Sequence, residues 1–178
     1  MLQSNHIRSY LLIAHPHRQV LLRALEEKPQ TAQELSSLLF NLEQTEGHLR
    51  ILQQGHLLEN REGVYSLIPD AYHKAREDAS HPWLEWEKDF YQLVSQAFDE
   101  KGILRTLPSQ NKKLNLLMQK LSLLFEAGRT YTEKEVNGLL MGFTRDFFLI
   151  RRSLIDAGVL FRTPSGSAYW RERHDAKI

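Results

Sequence analysis

The chain has no cysteine in its 178 residues. That excludes disulfides, thiolate metal sites and cysteine nucleophiles together. Long apolar runs are also missing. The longest early one, Tyr10 to Ala14, is too short for a membrane span or a signal-peptide core. There is no P-loop, no dinucleotide glycine fingerprint and no Gly-x-Ser-x-Gly elbow. No carboxylate pair stands out, and no Ser-His-Asp arrangement can be defended from spacing. These absences predict a non-enzymatic cytoplasmic protein, without cofactor and away from the membrane.

Hydrophobic residues make up 42% and charged residues 25%, as in ordinary globular chains. The length allows one domain or two small ones with thin cores. The net charge of +1 hides an asymmetry. Residues 1–100 hold 9 basic and 15 acidic side chains, a net −6; residues 101–178 hold 14 and 7, a net +7. The halves are expected to have different partners, or to face each other.

The stretch Tyr131 to Arg173 organises the reading. Thr132 and Glu135 have capping-box spacing, so a short helix starts there. Gly142 breaks it, and Thr144 is placed to cap a second helix through Ile155. Gly158 ends that helix in a left-handed turn. Val159 to Arg162 and Ser167 to Arg171 read as strands around Pro164-Ser165-Gly166. Helix, turn, helix, hairpin is the order of a winged helix-turn-helix.

The pattern occurs twice. Thr31-Ala-Gln-Glu34 matches Thr132-Glu-Lys-Glu135, and Leu38-Leu39 matches Leu139-Leu140. Leu52 to Leu58 aligns with Leu154 to Leu160 across one residue of gap. Two similar small domains fit this offset better than a solenoid does.

Ahead of the first copy, Ser4 to Ala14 and a helix opened by Pro16 are expected. Asn41 with Gln44 is expected to form an Asn-led capping box for the fourth helix, and Gly55 ends it. Leu57 to Leu67 is a hairpin tipped by Arg61-Glu62-Gly63. Residues 69–80 are polar. A long helix is expected from Pro82 to Phe98, with Trp83, Trp86, Phe90, Leu93 and Ala97 on one apolar stripe. Ile103 to Leu107 reads as a strand, and a helix follows Pro108-Ser109.

His15-Pro-His-Arg-Gln-Val-Leu-Leu-Arg-Ala-Leu25, Thr31-Ala-Gln-Glu-Leu-Ser-Ser-Leu-Leu39 and the run Gly47 to Tyr65 together resemble an ArsR-type winged-helix repressor over residues 5–70. The resemblance implies that the fourth helix enters a major groove. Gln44, Gly47, His48 and Arg50 then fall at or beside its reading positions, with Arg61 on the wing. It also implies that the helix after the wing commonly builds a dimer interface; Trp83, Trp86, Phe90, Leu93 and Ala97 are expected to be buried there, either between subunits or between domains. The chain departs from the family in Glu46 and Gly47, and Glu43 and Glu46 oppose phosphate. Ser36-Ser37 stand where the family's metal sensors carry cysteines. Asp70, His73 and Glu77 have helical spacing for a metal, with His81 nearby, but an exposed helix face explains them better. No metal site is expected.

Residues 103–173 resemble a bacterial family of unknown function whose members often follow ArsR-type winged helices. Tyr131, Glu135, Asn137, Arg151-Arg152, Asp156, Gly158, Tyr169-Trp170 and Arg171 carry that resemblance. It implies a regulator and supplies no ligand.

The expected fold is mainly α with short β-hairpins: two winged-helix-like domains joined by a long aromatic-rich helix. Residues 1–69 form the first domain, 70–101 the linker and long helix, and 102–178 the second domain. The expected function is a homodimeric, DNA-binding transcriptional regulator with an effector of unspecified chemistry. Double-stranded DNA would meet Gln44, Gly47, His48, Arg50 and Arg61, and also Arg145, Arg151, Arg152, Arg162 and Arg171. The alternative is a protein-interaction module or small-molecule sensor that uses the same scaffold without reading DNA.

Overall fold

The computed structural model describes residues 1–172. It is mainly helical with small antiparallel sheets, and divides into two compact units. One comprises Asn5–Val94; the other comprises Met1–Ser4 with residues from Ser95 onward.

Through the first unit run α1 (Ser4–Ile13), α2 (Pro16–Glu27), β1 (Gln30–Thr31), α3 (Ala32–Leu39) and α4 (Leu42–Gln54). The hairpin β2 (Leu58–Arg61) and β3 (Val64–Leu67) follows, then α5 (Pro69–Ala79) and the start of α6 (Lys88–Ala97), whose residues from Ser95 belong to the second unit. Pro16 sits in the first turn of α2, where its missing N–H costs nothing. Thr31 and Glu34 form both halves of the capping box on α3. Asn41 caps α4 by accepting the Gln44 N–H at 2.8 Å. Leu21, Leu35, Leu49 and Leu52 are buried and come from α2, α3 and α4.

The second unit contains α7 (Asn111–Ser122), β4 (Thr130–Tyr131), α8 (Glu133–Met141), α9 (Phe147–Asp156), β5 (Phe161–Arg162) and β6 (Tyr169–Trp170). Thr132 and Glu135 repeat the complete capping box on α8. The two sheets have corresponding order: β1-β3-β2 and β4-β6-β5, all antiparallel. In each, a two-residue strand before the capped helix pairs with the second hairpin strand.

Three expectations need correction. The segment 80–87 is not helical, and α6 starts only at Lys88. Pro82 disfavours the helical region for His81. Trp83 and Leu84 are buried, and the Glu85 carbonyl accepts the Tyr10 hydroxyl at 2.5 Å. Asp146, not Thr144, caps α9, accepting the Leu149 N–H at 3.0 Å. Thr144 is buried and its hydroxyl accepts the Asp146 N–H. Residues 103–107 form no strand; Leu104 makes one isolated bridge to Phe98. Arg173, the last residue of the C-terminal stretch read above, lies outside the described residues.

Candidate nucleic-acid interface

In the first unit the outer face of α4 presents Glu43, Gln44, Glu46 and Arg50, all exposed. A Cβ added at Gly47 would meet nothing within 4 Å, so packing does not require glycine there. The hairpin tip carries Arg61, 80% exposed and 2.9 Å from Glu59. Such an exposed pair contributes little stability and leaves the arginine accessible.

His48 turns the other way. Its Nε2 lies 3.3 Å from Nδ1 of His17, and its ring centroid is 4.5 Å from that of His15. Its Nδ1 is buried without a hydrogen-bond partner. The ring does not project with Gln44 and Arg50, so the expectation that it reads bases is corrected. His15 and His17 flank Pro16 at the start of α2, and the His15 Nδ1 accepts the His17 N–H at 3.1 Å. Burial pushes the His15 pKa down to about 4, helped by the nearby Arg18 charge. Burial and then Arg18 also lower that of His48. Arg18 is itself buried; it donates to the carbonyls of Leu12 and Leu11 and to the Tyr91 hydroxyl. This cluster is what the sequence reading missed. The signal was the His-Pro-His motif, but its partner lies 31 residues further on.

In the second unit several arginines lie on or beside α9 and the hairpin. Arg145 is exposed just ahead of α9. Arg152 is 82% exposed on α9, 3.6 Å from Asp156. Arg162 is exposed on β5. A cleft of about 530 Å³ between α9 and the hairpin is lined by Phe148, Arg151, Arg152, Asp156, Arg162 and Tyr169.

Two of the five expected phosphate-binding arginines are engaged internally. Arg151 has only 14% of its side chain exposed and lies 2.7 Å from Glu133. It also donates to Asn137 at 2.6 Å, with the Phe148 and Tyr169 rings 5.4 and 5.6 Å away. It ties α9 to α8. Arg171 donates through Nε to the Phe125 carbonyl at 2.9 Å, fixing the end of the hairpin to the segment after α7.

The stripe expected at a subunit or interdomain contact is mostly covered within the chain itself. Trp83, Phe90, Leu93 and Ala97 are buried in their own chain, whereas Trp86 is 48% exposed. Trp83 and Tyr10 both meet the Phe90 ring edge-on, at centroid distances of 5.5 and 6.0 Å. Of the residues considered for a metal, Asp70 and His73 are exposed on α5, and His81 packs against His6. Among the described residues, these four do not converge as a ligand group.

Residues 103–171 match a family described as an uncharacterized protein conserved in bacteria, DUF2087. No helix-turn-helix family match accompanies it over the first half. No curated protein and no solved structure matches the chain. No helix among the described residues is long and apolar enough to cross a membrane.

Proposed function

We propose that the protein is a duplex-DNA-binding transcriptional regulator built on two winged-helix-like units, working as a cytoplasmic homodimer. One observation carries this reading. Short strand, capped helix, second helix and hairpin recur in the same order in both units, with corresponding sheet order. A helix beside a hairpin, both open to solvent, is the arrangement that fills a major groove while the wing follows the backbone.

The two units divide the labour. The α4 face, with Gln44 and Arg50 flanked by Glu43 and Glu46, is poor in positive charge. Arg145, Arg152 and Arg162 supply most of the phosphate attraction from the second unit. Phosphate contacts raise affinity for every sequence and release counterions, so their loss shows in the salt dependence. Arg145→Ala with Arg162→Ala should weaken binding to unrelated duplexes about equally. The log-log salt slope should fall by roughly two, near one per lost contact. A loss confined to one sequence would make these arginines base readers. Absence of duplex binding by the intact protein at low salt would overturn the proposal.

One observation favours a second reading. Phe148, Leu149 and Met141 are 60%, 47% and 58% exposed on α9 and α8. Exposed apolar side chains of this kind suit a protein contact. In that case Phe148→Ser abolishes association with a protein partner, and no variant alters DNA binding.

A further inference from the structure

We infer that His15, His17 and His48 form a binding site for one borderline divalent transition-metal ion of the Zn²⁺ class. One ligand nitrogen from each residue lies within 4.8 Å of the others, and this is the one such histidine or carboxylate group among the described residues. The His17 Nδ1 and His48 Nε2 atoms are 3.3 Å apart. Two nitrogens each bound at about 2.0–2.1 Å to a tetrahedral ion lie about 3.3 Å from one another. The pair therefore has the spacing of two ligands before any movement. His15 closes the third side against His48 and sets its ring edge-on to Tyr91, with centroids 5.7 Å apart.

The donor set decides the class of ion. Three imidazoles without a carboxylate suit Zn²⁺, Co²⁺, Ni²⁺ or Cu²⁺, and do not suit Mg²⁺ or Ca²⁺. Three protein ligands leave a fourth position for water or another ligand. His15 and His17 are only half-buried, which leaves a route inward.

Two features work against tight binding. The Arg18 charge is close enough to depress both rings, although its guanidinium is turned to two carbonyls and the Tyr91 hydroxyl. His15 also accepts the His17 N–H through Nδ1. Whichever neutral ring nitrogen takes the metal, that hydrogen bond is given up. If Nδ1 binds, its lone pair is used; if Nε2 binds, Nδ1 carries the proton. Metal loading is thus coupled to the cap of α2.

The test uses the full chain without a histidine tag, titrated with Co²⁺ at neutral pH and followed by visible absorption. Displacement by Zn²⁺ follows. The expected result is about one equivalent with the band of a low-coordinate site. His17→Gln and His48→Gln should each weaken binding roughly tenfold or more, with circular dichroism unchanged. His6→Gln, which removes the ring tilted against His81, should leave binding unaltered. Should His48→Gln fail to fold, the half-buried His17→Gln decides the matter alone. No cobalt band, undiminished affinity in folded His17→Gln, or loss on His6→Gln would each overturn the site.

Discussion

At the residue scale, the direction of a side chain matters more than its type. His48 and Arg151 sit on helices read as groove helices, yet both turn inward, one to two histidines and one to Glu133 and Asn137. The capping glutamates behave as their spacing demands. Glu34 accepts the Thr31 N–H at 2.7 Å, and Glu135 accepts the Thr132 N–H at 2.8 Å. These backbone donors hold both carboxyls below the usual carboxylate range, with Arg129 assisting at Glu135. A depressed folded pKa contributes stability above the unfolded value, lost as pH falls through the folded value. Thermal midpoints should therefore drop as pH falls below about 4.5. Glu34→Gln should flatten that acid slope for Asn5–Val94, and Glu135→Gln for the unit from Ser95 onward, as read by calorimetry across pH. A slope unchanged in both variants would contradict the assignment.

At the element scale, the turn between α8 and α9 depends on a close backbone approach. Spacing alone makes Gly142 a helix breaker. Its carbonyl accepts the Ser4 N–H at 2.8 Å, and a Cβ added there would lie 2.8 Å from the Leu2 carbonyl oxygen. Its φ of −62° is ordinary, so the constraint is space and not conformation. Backbone cannot swing aside as a side chain can. Gly142→Ala should destabilise the unit by about 1–3 kcal/mol, measured by urea unfolding. Gly138, on the same helix, has nothing within 4 Å of such a Cβ. Gly138→Ala should be neutral or stabilising by up to ~1 kcal/mol.

At the scale of the whole molecule, the acidic and basic halves and the aromatic stripe bear on assembly. Phe90 is 4% exposed and lies between Tyr10 and Trp83, so it belongs to the core of its own unit. Phe90→Ala should cost about 3–5 kcal/mol of stability. Trp86 keeps 48% of its surface free while its edge meets Tyr10. In the proposed homodimer, Trp86→Ala should lower the dimer fraction in sedimentation while leaving most of the stability intact. An unchanged dimer would move the contact away from this residue.

The sequence by itself determined the repeated framework. The Thr31 and Thr132 capping boxes, the Asn41 cap, Pro16 at a helix start and Gly158 at φ +69° all follow from interactions within a few residues. Spacing is sufficient evidence for such contacts, because the chain between the partners has little freedom. The tertiary structure alone decided which polar groups meet. His17 finds His48 across 31 residues, Arg171 finds Phe125 across 46, and Tyr10 finds Glu85 across 75. The two-residue strands β1 and β4 exist only through pairing with distant β3 and β6, since neither has a periodicity to read. Helix α6 starts late for the same reason. Helical propensity from Pro82 onward is weaker than burial of Trp83 and Leu84 and the Glu85 bond to Tyr10. Distant partners are selected by the packing of whole elements, which a local spacing does not contain.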